Sequence, residues 1–253
     1  MIFNTATTLI LLFSSAINAS PVLSRRAATV PLSSIPLPKE AGPGGLPPLG
    51  DNELKHIILG LGTQNYTCAD STANSIPASV GAVADLYLLD PILTSSAQAK
   101  ILIPLIPPMA LQFSKFLPKK GGKPPSPMAK LSLPNNGIAA PKLVYGSHFF
   151  NSNGPMFDLF KSVPIEGLSA KKDKGMTAPA RSCKGTKSEG AVDWLYLIDN
   201  GLGVSYGGVS VVYRLETAGG KAPANCKRNG SGAYTIEVPY AAEYWFAGPV
   251  GPA

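Results

Sequence analysis

The chain has 253 residues, 45% of them hydrophobic and 15% charged, and its formal net charge at pH 7 is +7. The part from 51 to 247 is long enough to bury a sizeable core as one domain. The lysines are scattered through Pro/Gly-rich loops such as 116–127, without interleaved aromatic residues that would stack on bases, so the positive charge does not indicate a nucleic acid partner.

Residues 1–19 are typical of a secretory signal peptide. An apolar run from Leu9 to Phe13 is too short to span a bilayer, and small residues follow it as far as Ala19, where we expect cleavage. The pair Arg25-Arg26 is either a dibasic processing site or an accidental pair in the leader. The sequence therefore predicts a secreted, extracellular protein.

The leader and the first strands follow. Residues 20–50 are rich in Pro, Gly and Ser without a period and are predicted to form a propeptide or flexible leader. A first strand is predicted over 55–68, where Gly60 and Gly62 indicate a bulge or a close approach of the backbone. Alternating polarity over 80–90 predicts a second strand.

The middle of the chain is predicted to hold one helix and two strands. A short helix is expected over 91–103, because Asp90 suits an N-cap and a proline follows it. The Pro-rich stretch after this helix is predicted to be loop. Strands are expected over 142–150 and 154–160, and the Lys/Gly/Ser-rich residues 161–190 are expected to form a long surface excursion.

The last third shows the clearest strand pattern. Strands are predicted over 191–198, 209–216 and 237–248. In the last one, alternation assigns the same inward face to Val238, Tyr240, Ala242, Tyr244 and Phe246. The opposite face receives Trp245 and Glu243.

These elements predict an all-β fold, a single-domain β-sandwich or partly closed barrel with one or two short helices and long Pro/Gly-rich loops. The domain is expected to span 51–247, followed by a short tail at 248–253. No second stretch is predicted to cross a membrane, because Pro104, Pro107 and Pro108 would break a spanning helix.

Three cysteines remain after processing, and an oxidising compartment favours one disulfide and one leftover thiol. Cys68 and Cys226 are the favoured pair because both flank predicted strands, whereas Cys183 lies in a basic loop; the other two pairings stay open. No metal site is predicted, since cysteines and histidines share no ligand-like spacing. Sequons at Asn65 and Asn229 predict N-glycans if the chain enters a eukaryotic secretory pathway.

Several segments resemble a known family. In order, GLGTQNYTCADS, GSHFF with GPMFDL, AVDWLYLI, and the run from YRLETAGGKAP to VPYAAEYWF are similar to the secreted fungal and bacterial family named domain of unknown function 3455 (DUF3455). The resemblance implies a compact β-rich extracytoplasmic domain in which Cys68 and Cys226 match the two cysteine positions of the family. Cys183 has no counterpart. No activity is established for the family, so the resemblance carries no catalytic residue over.

Some members of that family carry a malate dehydrogenase label, which the residues do not support. The segment GLGTQN lacks the third glycine of a dinucleotide-binding turn, and it does not open a helix. With so little helix, a doubly wound sheet cannot be built. We therefore expect no nicotinamide chemistry and no cofactor.

Hydrolytic chemistry has weak candidates. His148 could act as an acid or base, but Ser147 beside it on a strand points to the opposite face, and there is no Gly-x-Ser-x-Gly elbow. A structural role for His148 is the alternative. Paired carboxylates could serve a glycosidase-like mechanism if two converge, and Asp158 and Glu243 are candidates with Asp85, Asp193 and Glu216.

A binding module requires less. An exposed aromatic ring beside a carboxylate suits the C–H faces and hydroxyls of a sugar. Trp245 with Glu243 and Tyr87 with Asp85 are the candidate pairs, provided that Trp245 is exposed, whereas Trp194 is expected in the core.

The sequence thus favours a non-enzymatic binding protein that acts at the cell wall or a host interface of a fungal-type organism. A cell-wall polysaccharide or a host surface molecule is the expected partner. An extracellular hydrolase acting on a polymer is the alternative, and a structural wall protein is a further one. The oligomeric state is left open.

Overall fold

The computed structural model describes residues 29–38, 40, 45–95, 98–114, 144–227 and 231–251. In this part of the chain, eight strands form a closed antiparallel barrel in which each strand pairs with its neighbour in sequence and the last pairs with the first. The strands are β1 Asn52–Cys68, β2 Ala78–Leu88, β3 Gly146–Asn151, β4 Gly154–Leu159, β5 Glu166–Met176, β6 Trp194–Asp199, β7 Val211–Gly219 and β8 Tyr234–Pro249. The all-β prediction is confirmed, and the barrel is fully closed.

Several predicted features lie outside the described residues. They are the signal peptide at 1–19, the pair Arg25-Arg26, the lysine-rich segment 116–127 and the sequon at Asn229. None of the helices in the described ranges has the length and apolarity that a membrane crossing requires.

Three short helices follow β2. They are α1 Asp90–Thr94, α2 Ala99–Leu102 and α3 Ile106–Ser114, with 3-10 turns at Leu32–Ser34 and Ile103–Leu105. A helical segment was expected at this place, but the prediction that the Pro-rich stretch after residue 103 is loop is wrong. Pro107 and Pro108 lie in the first turn of α3, where the backbone N–H groups have no partner within the helix, so these prolines begin the helix instead of breaking it.

The barrel has two apolar cores, one on each side of its wall. The inner core fills the lumen and includes Ile58, Leu86, Phe157, Leu168, Leu197, Val212, Tyr240, Tyr244 and Phe246. The outer core lies between the barrel and α1–α3 and includes Ile57, Leu59, Tyr87, Leu93, Ile106, Leu111, Trp194, Tyr213, Leu215 and Trp245. Strands β1, β7 and β8 are therefore buried on both faces.

The leader also contributes to the outer core. Ile35 and Leu46 are buried, and the Val30 N–H donates to the Thr94 carbonyl at 2.8 Å. The Tyr213 hydroxyl donates to the Pro47 carbonyl at 2.9 Å. The described part of the leader, expected to be flexible, thus packs on the outside of the barrel.

Strand β5 corrects the prediction of a surface excursion over 161–190. It pairs with β4 and β6, and it buries Leu168 and Ala170 in the lumen. Its second half is exposed and rich in lysine, so the composition of the segment hides the alternation that its first half carries. Pairing with two neighbours decides the conformation here over composition.

The cysteine pairing is confirmed. Cys68 at the end of β1 and Cys226 before β8 form a disulfide with a Cα–Cα distance of 5.7 Å, and both residues are buried. Cys183 is a free, half-buried thiol. The disulfide attaches the segment that precedes β8 to the end of β1.

Candidate functional site

One end of the barrel opens into a cavity of about 520 Å³, which we call the lumen cavity. Because neighbouring strands are antiparallel, β1, β3, β5 and β7 end there while β2, β4, β6 and β8 begin on that side. Lumen-facing and rim residues from all eight strands and two loops line it, among them Gln64, Tyr66, Ser79, His148, Phe150, Phe157, Lys172, Asp193, Leu197, Arg214, Lys221 and Tyr244. A cavity of this size suits a small organic molecule.

Stacked aromatic rings form the floor of the cavity. The His148 ring lies parallel to the Phe157 ring, with centroids 4.0 Å apart and planes 5° apart. Tyr244 meets Phe157 edge-on at 5.1 Å and His148 at 5.6 Å. Gly60 makes room for Tyr244, because a Cβ at residue 60 would collide with its ring. The close backbone approach predicted for Gly60 and Gly62 is found at Gly62, where a Cβ would collide with the Val83 carbonyl of β2.

His148 is neutral in this environment. Burial lowers the pKa of its imidazole to about 4, and the charge of Arg214 acts in the same direction. Nδ1 lies 2.9 Å from the Met156 carbonyl, which can only accept, so Nδ1 carries the proton and Nε2 is left as an acceptor.

A polar group lies between β1 and β8 on the inner wall. The hydroxyls of Tyr240 and Tyr244 are 3.0 Å apart and buried, so one donates to the other. Gln64, 6% exposed, lies close enough to affect the pKa of Tyr240, yet its Nε2 amide makes no hydrogen bond of normal geometry. Gln64 also lines the lumen cavity, so this wall carries polar side chains beside its aromatic rings.

The charge of the cavity is positive. Arg214 projects from β7 into the lumen, half-buried, and its Nε and Nη2 donate to the Asp193 carbonyl at 3.0 and 2.8 Å. No carboxylate in the described chain lies within ion-pair distance of Arg214. Lys172 and Lys221 line the rim, where Asp193 is the one acidic residue.

A second titratable group lies away from the cavity, between α1 and the start of β5. His56 Nε2 is 2.7 Å from a Glu166 carboxylate oxygen, and Nδ1 is 3.1 Å from Asp90. Asp90 also accepts the Ile57 N–H at 2.6 Å. Burial alone would lower the pKa of His56, but hydrogen bonds to the two carboxylates and their charges raise it to about 9. Both ring nitrogens are used, so this carboxylate clamp fastens β1 to α1 and β5.

The sequence matches the model of a family described as "Protein of unknown function (DUF3455)" over residues 48–248. The chain belongs to this family. The resemblance noted in the sequence is thereby confirmed, and the match runs through the barrel from four residues before β1 to the penultimate residue of β8. No curated protein and no solved structure matches the chain.

The DUF3455 barrel separates the three catalytic candidates. His148 faces the lumen, whereas Asp158 lies on β4 opposite the outward Ser147 and accepts a hydrogen bond from the Tyr206 hydroxyl at 2.9 Å. Glu243 points outward into the outer core, beside Trp245. The residues therefore do not form one constellation.

The condition for a sugar-stacking pair of Trp245 and Glu243, an exposed Trp245, is not met. Both Trp245 and Glu243 have no exposed surface, because α1–α3 and the leader cover the outward face of β8. Tyr87 is also buried, at 5% exposed, while Asp85 beside it is exposed. Neither aromatic–carboxylate pair forms an exposed sugar-stacking face in the DUF3455 domain. Trp194 is buried, as expected.

Two further motifs are placed by the structure. The segment GLGTQN runs straight through β1, paired with β2 and β8, so it is not a strand-to-helix turn. Asn65 lies in the same strand, half-buried, with its Oδ1 buried and without a partner. Glycosylation there stays a prediction. In the described chain, no group of three or more His, Cys, Asp or Glu side chains is arranged to hold a metal ion.

Sequence reasoning named His148 and Asp193 but missed the cations of the lumen cavity in DUF3455, Arg214 above all. Arg214 alternates with the buried Tyr213 and Leu215 in β7, and nothing local shows that its face turns towards the lumen. The signal is present in β1: Ile58, Gly60, Gly62, Gln64 and Tyr66 share a face that changes from apolar to polar along the strand. Such a change is typical of a strand that leads from a packed core to a cavity mouth.

Proposed function

We propose that this protein is a non-enzymatic binding protein that takes a small organic molecule into the lumen cavity. The observation that carries the proposal is the open, aromatic-floored cavity, whose lining also includes the buried polar side chains of Gln64 and His148. Pockets that bind small molecules combine apolar walls with a few placed polar groups in this way.

The geometry favours binding over turnover. In the described chain, no carboxylate and no Ser, Thr or Cys side chain hydrogen-bonds to His148. A nucleophile needs a base within hydrogen-bond reach, and a general acid–base pair needs two groups at the reacting centre. A hydrolase that uses His148 Nε2 is the second candidate, because that nitrogen is an unprotonated acceptor in a residue that lines the cavity.

The location of this binding is proposed from the leader. A signal peptide would deliver the domain to the extracellular space, at the cell wall or a host interface, where the ligand would be a small molecule or the end unit of a polymer. The cavity admits a chain end more readily than the middle of a polysaccharide, since the expected flat aromatic face is buried.

The test uses the secreted full chain and a fragment library. Ligand-observed NMR should find binders that Ser79→Trp abolishes, because Ser79 is exposed at the rim and an indole there would occlude the mouth. Ser33→Trp, at an exposed position of the leader, is the matched control and should bind as the natural chain does.

Turnover is followed in the same samples. Unchanged ligand spectra over a day support a binding protein. New product signals that His148→Gln removes would establish the hydrolase instead. Binding that survives Ser79→Trp would show that the lumen cavity is not the site.

A further inference from the structure

We propose that the ligand of the lumen cavity is a carboxylic acid with an apolar body, and that Arg214 is the residue that binds its carboxylate. This inference rests on the proposed function and specifies its ligand class.

Among the residues that the structure describes, no carboxylate forms an ion pair with Arg214. This arginine is half-buried on the lumen face of β7, between Leu195 of β6 and Tyr244 of β8. Its two hydrogen bonds to the Asp193 carbonyl orient the guanidinium but neutralise no charge, and Nη1 takes part in neither. A planar guanidinium that is held in place and has unused N–H donors can bind a carboxylate through two parallel hydrogen bonds.

The positive charge acts inside the lumen. Burial raises the pKa of Tyr240 and of Tyr244, and the charge of Arg214 opposes that rise in both. Arg214 thus lies close enough to interact electrostatically with the inner wall of the cavity, where Asp193, at the rim, is the one acidic lining residue in the described part of the chain. An anion that enters gains this interaction in a partly desolvated space.

The rim strengthens the selection. Lys172 and Lys221 are exposed there against one carboxylate, Asp193, so an approaching anion is attracted before it reaches Arg214. The Gln64 amide lines the same cavity and adds a neutral polar group to its wall.

The floor decides between classes of anion. His148, Phe157 and Tyr244 present stacked and edge-on rings, which favour an aromatic or aliphatic body. With a single guanidinium inside, the cavity matches one monocarboxylate better than a phosphate monoester, whose second charge would need a second buried cation.

The experiment compares matched ligands on the full secreted chain. Aromatic and aliphatic acids are each paired with their primary amide, their amine and their phosphate monoester, and affinities are measured by calorimetry. We expect the acids to bind about tenfold to a hundredfold more tightly than their amides, with an affinity that falls as salt rises.

Variants then assign the carboxylate to Arg214. Arg214→Gln should reduce the affinity for acids to that for amides and leave the amides unchanged, while Arg214→Lys should restore part of the loss. Lys161→Gln removes the same charge at an exposed position between β4 and β5, at the opposite end of the barrel, and should change neither. Melting temperatures verify that each variant is folded.

The outcomes separate the two proposals. If amides, amines or phosphate monoesters bind as tightly as acids, or if Arg214→Gln leaves acid binding unchanged, the carboxylate inference is overturned and the binding function stands. If neither the paired compounds nor the fragment library yields a binder, the proposed function fails, and this inference fails with it.

Discussion

At Glu243, the barrel buries a carboxyl group with no exposed surface, and within the described ranges this group forms no ion pair. The Trp245 indole N–H donates to Oε2 at 2.9 Å, and Oε1 has no partner. Burial raises the pKa of Glu243 well above its ordinary value of 4.5, which favours the protonated, neutral form of the side chain in the folded protein. Its role is to accept the indole hydrogen bond in the outer core.

Glu243→Gln tests this protonation. Glutamine keeps the acceptor and is neutral, so we expect the free energy of unfolding at pH 5 to change by no more than about 1 kcal/mol. In the natural chain the raised pKa makes stability fall as pH rises above 4.5, because only the folded state then holds the proton. The variant should lose this component of the slope, as measured by urea unfolding between pH 4 and 8. A natural slope retained in Glu243→Gln would show that Glu243 is ionised.

His56 gives the opposite case, a base held charged between Asp90 and Glu166. Its pKa rises from 6.5 to about 9, so the clamp stabilises the fold fully below pH 6.5, and that contribution is lost as pH rises through about 9. His56→Gln should lower the free energy of unfolding by roughly 3 kcal/mol at pH 6 and by much less at pH 10. Lys161→Gln is the control, with no such pH dependence. A loss equal at both pH values would contradict a charged His56.

At the scale of elements, the alternation of apolar and polar residues predicted seven of the eight strands, because each of these seven has an apolar face that its own sequence shows. Strand β5 was not predicted because its second half is exposed and rich in lysine, so that half shows no alternation of apolar and polar residues. Helix α3 was not predicted because a proline is compatible with a helix only in its first turn, and the sequence does not show where this helix begins. The burial of Trp245 could not be predicted because the sequence of β8 does not reveal that helices cover the outer face of this strand. The cavity depends on all eight strands closing, which no segment encodes alone.

At Gly60, strands β1 and β8 pack so closely that only a glycine fits without a shift of the Tyr244 ring. The Tyr244 ring of β8 occupies the space of a side chain on β1, so Gly60→Ala should destabilise the fold by about 1–3 kcal/mol and displace the cavity floor. Thermal melting measures the first effect, and weaker binding of the fragments that Ser79→Trp also excludes measures the second. Combining Gly60→Ala with Tyr244→Ala should recover part of the cost, because the collision is then absent. Additive losses in the double variant would mean that the two residues do not interact.

At the scale of the whole molecule, the domain extends beyond the barrel. The match to DUF3455 begins at residue 48, yet Ile35 and Leu46 are buried against the outer core, and Arg181 of the β5–β6 connection forms ion pairs with Glu40 of the leader and with Glu216 of β7. The outer face of β1, β7 and β8 is thus covered jointly by the leader and the helices. A barrel that starts at residue 51 would expose part of that face to water.

Truncation measures how much the leader contributes. A chain that begins at residue 27 keeps both buried side chains and should melt as the processed protein does, whereas one that begins at 51 should lose about 3–6 kcal/mol, from two apolar side chains and the surface they cover. If the shorter chain does not fold, Ile35→Ala and Leu46→Ala in the longer chain test the same contacts, each with an expected loss of about 2–4 kcal/mol. Ser33→Ala, exposed in the same segment, should be neutral. Equal unfolding midpoints for both chains and for the alanine variants would show that the domain begins at residue 51 and that the leader does not contribute to its stability.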